Sequence, residues 1–127
     1  MAIYYSYFHE RLGYKFSLTV ERMNAAPQWK DADDFPPLPP RIAMANSEAF
    51  LRRLLFSEVG KFSPKFSSCA LTLGEGGRWY YVVSWFVPDI EADFDWSTIT
   101  VPVLLDGSIP EPLRFNYDDR SFIYRHA

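Results

Sequence analysis

The sequence predicts an α+β domain in which one helix packs on a four- to five-stranded antiparallel meander sheet. Three observations predict it. Arg78–Val87, RWYYVVSWFV, is an apolar run dense in aromatic and β-branched residues, which suit the pleated surface of a sheet. From Arg41 to about Ser57 the apolar residues recur at helical spacing. Short alternating segments joined by glycine-containing turns follow the helix, which is the order of a layered helix-on-sheet domain.

A chain of 127 residues, 48% of them hydrophobic, buries one core without metals or disulfides. The reading is a single domain over 1–127, with an aromatic arm at 1–12, a Pro-rich connector at 23–40 and a tail at 113–127. In the arm, Ile3–Phe8 reads either as a strand or as a segment that packs on something else, with Gly13 opening a turn behind it. Tyr14, Phe16, Leu18 and Val20 then alternate with Lys15, Ser17, Thr19 and Glu21, the pattern of a half-buried strand.

The connector holds Pro27, Pro36, Pro37, Pro39 and Pro40 and an acidic cluster at Asp31, Asp33 and Asp34. Proline fixes φ and removes a donor, so Phe35–Pro40 is expected to be polyproline-like, pinned to the body by Trp29. Pro39 or Pro40 suits the first helical turn. The helical wheel gathers Ala43, Met44, Ser47, Phe50, Leu51, Leu54 and Leu55 on one face, and Gly60 is a plausible stop. Ile42 and Phe56 fall off that stripe, positioned to meet the connector.

Cys69, Leu71 and Leu73 mark the next strand, and Gly74–Gly77 a hairpin turn into the central one. In the central strand Trp79, Tyr81, Val83, Trp85 and Val87 share one face, and Tyr80, Val82, Ser84 and Phe86 the other. Both rows are largely apolar, so cover on both sides is expected. Ile99, Val101, Val103 and Leu105 form a further strand, with Pro102 requiring an open edge or a bulge. Asp106-Gly107 reads as a tight turn, and Leu113, Phe115 and Tyr117 as a last short strand, with Phe122 and Tyr124 returning along it.

Several chemistries are disfavoured. A formal charge of −3 argues against nucleic acid as partner. No run is long enough to span a bilayer, and Met1–Phe16 lacks the features of a signal peptide, which reads as cytoplasmic; a leader already removed would make the protein secreted or periplasmic. One cysteine, Cys69, excludes an internal disulfide and thiolate zinc sites. His9 and His126 lie near the chain ends, and no nucleophile-elbow sequence accompanies them, so no catalytic residue is assigned. Gly74–Gly77 precedes a strand rather than a helix, which rules out a phosphate-cradling loop. Pro36-x-x-Pro39-x-Arg41 has the form of a polyproline ligand, but a rigid connector is the preferred reading. No cofactor or metal is called for.

Two groups remain as candidate interaction features. Asp89, Glu91, Asp93 and Asp95 alternate in one loop, without the glycine and terminal glutamate of a Ca²⁺ loop, and read as a solvated acidic loop. The aromatic residues number twenty-three, and the polar ends of so many are hard to satisfy in one core. The first reading is that the excess covers the second face of the sheet; the alternatives are a partner-binding surface, for which Tyr4, Tyr5, Tyr7, Trp29, Trp85 and Trp96 are the candidates, and the lining of a ligand pocket.

From Pro27 to Pro112 the chain resembles small bacterial proteins of unknown function with cystatin-like folds, related in shape to PepSY-type domains. The residues that carry the likeness are Pro27–Trp29, Pro36–Pro40, Trp79–Val83, Val103–Ser108 and Glu111-Pro112. The resemblance implies a cystatin-like sheet and no catalytic residues. The expected function is a non-enzymatic protein-interaction or inhibitor-like module, with a homodimer formed through sheet edges, the N-terminal strand first, or through the aromatic arm. The alternatives are a small-ligand or enzymatic pocket on a curved sheet, with Asp106, Glu111 and Tyr81 as its polar groups, and a bacterial immunity protein that meets a toxin with its acidic loop.

Overall fold

The run of aromatic and β-branched residues after Arg78 forms the central strand of a three-stranded sheet, as its composition requires. The computed structural model describes residues 2–9, 12–55, 64–89 and 95–116. In chain order these form β1 (Ala2–His9), β2 (Leu12–Thr19), α1 (Val20–Ala25), α2 (Pro40–Leu55), β3 (Lys65–Leu73), β4 (Trp79–Asp89), β5 (Asp95–Val103) and β6 (Leu113–Asn116). The strands make two antiparallel sheets, ordered β1-β2-β6 and β3-β4-β5.

The inner row of β4, Tyr81, Val83, Trp85 and Val87, lies beside Val103, Val101, Ile99 and Ser97 of β5. Against these rows α2 presents Ala43, Ser47, Phe50 and Leu51, all buried, so the stripe read from the sequence is the face that packs. Pro40 is the first residue of α2, where its missing N–H costs nothing. Burying each large aliphatic or aromatic side chain in such a row contributes roughly 1.5–3 kcal/mol. Phe16 of β2 joins from the other sheet, its ring 5.8 Å from that of Phe50. Gly60 and Phe56 lie outside the described residues, as do Tyr117, Phe122 and Tyr124.

The second face of β4 is most deeply buried at one end. Tyr80 is buried in a second cluster with Leu18, Met23, Ala26 and Leu104, whereas Phe86 is exposed. Between them, Ser84 and Thr100 put hydroxyls 3.2 Å apart, a polar stretch that needs no apolar cover.

Other expectations change in tertiary context. Residues 2–9 are a full strand, paired with β2 from Ala2↔Thr19 to His9↔Leu12; Gly13 sits inside β2 opposite Phe8 and opens no turn. The alternation in β2 stops at Thr19, because that residue caps α1 by accepting from the Arg22 amide at 3.2 Å; Val20 is helical and exposed. This short helix has a sequence signal, a threonine followed by an acidic first turn, that competed with the strand pattern. Pro102 is on an edge strand of its sheet, as a residue without a donor must be, yet it is buried; β1 contacts the same strand. The strand at Leu113 forms but leaves the meander and pairs with β2, Leu12↔Asn116 to Lys15↔Leu113. The four- or five-stranded single meander is therefore three strands here, and two more strands and β6 build a second sheet.

The connector is held as its composition suggested. The Trp29 ring meets Trp79 edge-on at 5.2 Å, and its indole N–H donates to Asp33 O at 3.0 Å. The Tyr81 hydroxyl donates to Leu38 O at 2.6 Å.

Candidate functional site

The aromatic candidates separate by position. Trp85 is only 4% exposed, and its indole N–H donates to the buried Ser47 hydroxyl at 2.9 Å, so it serves the core rather than a surface. Tyr5 is partly buried between the two sheets; its hydroxyl and that of Tyr80 are hydrogen-bonded at 2.7 Å. Burial, then that bond, raise the Tyr5 pKa far above the ordinary tyrosine range. Trp29 is a partly exposed clasp on Trp79. Tyr4 and Tyr7 belong to β1 and Trp96 to β5, and their side chains lie outside the described residues.

Of the acidic set, Glu91 and Asp93 lie outside the described residues. The strand ends bring the backbones of Asp89 and Asp95 opposite each other in the β4–β5 pairing. Tyr81, Asp106 and Glu111 do not form one polar site. Tyr81 is committed to Leu38. Asp106 accepts from the Ser108 amide at 2.9 Å and hydroxyl at 2.6 Å. Its burial opposes ionisation, but these bonds and the charge of Arg22 outweigh that and hold its carboxyl below the usual range. Cys69 is partly buried, and desolvation pushes its thiol pKa up, which disfavours the nucleophilic thiolate.

Two surfaces offer recognition chemistry. The first is the outer edge of β3. Among the described residues this strand pairs only with β4, so no described strand lies along its other side. Its inner-face residues Phe66 and Leu73 are 45% and 55% exposed, with Cys69 and Leu71 partly buried between them. The register shift between Phe66 and Ser68 is a bulge, a device that limits uncontrolled pairing at edges.

The second is a groove between α2 and the stretch from Gly107 to Arg114. The turn that shapes it depends on Gly107, which has φ +86° and donates to Leu104 O at 2.9 Å. Asn46 of α2 donates to Gly107 O at 2.9 Å and ties turn to helix. One depression of about 270 Å³ lies between Asn46, Phe50, Arg53, Ile109 and Glu111. Another, of about 420 Å³, is lined by Phe50, Arg53, Leu54, Glu111 and Arg114. Sequence reasoning missed Arg53 and Arg114. Arg53 reads as one cation on a polar helix face, and only the pairing of β6 with β2 brings Arg114 beside it.

No described helix is long and apolar enough to cross a membrane. Among known proteins, no family model, no curated protein and no solved structure matches the chain.

Proposed function

We propose that this chain is a non-enzymatic protein-interaction module, inhibitor-like in type, that works by adding a strand to β3, first of all a strand from a second copy of itself. The observation that carries the reading is the edge of β3, which no strand among the described residues pairs on its outer side. A strand edge presents a row of backbone donors and acceptors that another chain satisfies without any side-chain code, while alternate side chains supply specificity. The half-exposed Phe66 and Leu73 provide apolar area beside that edge. The N-terminal strand is less suited to pairing between copies than the sequence suggested, because β1 runs against β5. The cystatin-like reading belongs to the same proposal: α2 packed on the β3-β4-β5 meander supports it, and the pairing of β6 with β2 is a departure from it.

The test is light scattering coupled to size exclusion, on the intact chain and on an Ala70→Lys/Leu73→Lys variant. Both substituted residues are exposed on β3. Lysine on an edge strand opposes pairing while leaving the ladder to β4 intact. The expected result is a dimer that becomes monomeric in the variant with its circular dichroism unchanged. A dimer indifferent to both lysines would remove β3 as the contact, and a strictly monomeric intact chain would remove self-pairing.

A further inference from the structure

We propose that the groove between α2 and β6 binds an acidic peptide segment of a partner protein, with Arg53 and Arg114 receiving its carboxylates. This site uses none of the β3 residues and stands apart from the strand-addition reading.

Both arginines line the same depression of about 420 Å³. Each is steered by an aromatic ring: the Arg53 guanidinium carbon lies 5.3 Å from the Phe50 ring centre, and that of Arg114 lies 5.6 Å from the Tyr14 ring centre. Arg114 stands opposite Tyr14 in the β2–β6 register, and its Nη2 also donates to the Tyr14 hydroxyl at 3.4 Å. A guanidinium lying over a ring still presents N–H donors at its edge, and their fork matches a carboxylate.

The charges favour an anion. Among the described residues lining the depression, two arginines face one carboxylate, Glu111. The Arg53–Glu111 pair is 3.9 Å long, with the side chains 71% and 81% exposed, so it is screened by water and readily exchanged for an incoming carboxylate. Arg114 forms no ion pair among the described residues. The floor favours a peptide over a bare anion. Phe50 and Leu54, continued by Ala49 and Ile109 in the adjoining depression, give an apolar strip along α2. An extended peptide that alternates acidic and apolar residues puts its carboxylates on one side and its apolar groups on the other, which matches an arginine rim over an apolar floor.

The experiment follows fluorescence anisotropy of a fluorescein-labelled peptide of four Glu-Leu repeats, titrated with the 127-residue chain, against a Gln-Leu control. The Glu-Leu peptide is expected to bind at least about tenfold tighter than the control, and to weaken as salt rises. Arg53→Gln/Arg114→Gln is expected to abolish that preference, and Glu111→Gln to strengthen binding a few-fold by removing the competing carboxylate. Equal binding of the two peptides, or an unchanged preference in the double arginine variant, would overturn the proposal. So would displacement of the peptide by inorganic phosphate beyond the effect of chloride at equal ionic strength, which would make the groove a simple anion site. The chain's own tail carries Asp118 and Asp119; binding seen only after Asp118→Asn/Asp119→Asn would assign the groove to that tail instead. Circular dichroism of every variant separates a lost site from a lost fold.

Discussion

At the scale of single residues, the polar ends of the aromatic side chains decide where those side chains go. Trp85 is buried because Ser47 accepts its N–H inside the core, Tyr81 because Leu38 O accepts its O–H, and Tyr80 because Tyr5 shares a hydroxyl contact with it. An unmet donor at such a place costs about 1–3 kcal/mol, so these partners decide which of many aromatics are structural. The sequence named Tyr5 and Trp85 as surface candidates because their partners are 75 and 38 positions away, and Trp29 because its clasp on Trp79 is one that no local pattern displays. The Tyr5 environment also makes stability depend on pH. Its pKa is raised in the folded state, so its contribution is complete below the unfolded tyrosine pKa of about 10 and is lost as pH rises above that value. Urea denaturation of the wild type is therefore expected to show a midpoint that falls above about pH 10, and Tyr5→Phe to show a shallower fall from a lower starting stability. Parallel pH profiles for the two proteins would show that Tyr5 is not the group responsible.

At the scale of elements, turns and caps set where each pattern stops. Thr19 ends β2 by capping α1, and Gly107 ends the excursion after β5 with a conformation that residues with a Cβ rarely adopt. A methyl group on Gly107 would also stand 3.0 Å from Asn46 Nδ2, the donor that ties this turn to α2. Gly77, with φ +74°, has nothing within 4 Å of the same methyl position, so it isolates the backbone cost. Gly77→Ala is expected to lose about 1–2 kcal/mol and Gly107→Ala about 1 kcal/mol more, measured by chemical denaturation. Equal losses would mean that Asn46 moves aside without cost. The helix α2, the hairpin turn at Gly74–Gly77 and the Asp106-Gly107 turn were legible because periodicity and turn chemistry are local. The short helix α1 was not, since six residues carry too little pattern to outweigh the alternation before them.

At the scale of the whole molecule, the first and last described strands share one sheet. β1 and β6 flank β2, and this sheet supplies Tyr14 and Phe16 to the main core and Leu18 to the second. The aromatic arm is thus part of the fold rather than an appendage. Deleting residues 1–10 is expected to broaden or abolish the cooperative thermal transition followed by circular dichroism, through loss of the β1–β2 ladder and of the Tyr5–Tyr80 contact. A truncated chain that melts as sharply, at the same temperature, would return the arm to the role of an optional interaction element.

The sequence by itself determined the class and most of the parts: an α+β chain with the start and the packed face of α2, β4 at the centre of its sheet, and the turns at Gly74 and Asp106. These rest on interactions between near neighbours, which leave a period or a turn residue in the chain. Tertiary structure alone decided that the strands divide into two sheets, that β6 pairs with β2, that Pro102 lies buried, and that Arg53 and Arg114 share one groove. Each of these joins segments far apart in sequence. The pairing that wins is the one that buries the most apolar surface and satisfies the most backbone donors, a sum over the whole molecule to which no single segment holds the terms.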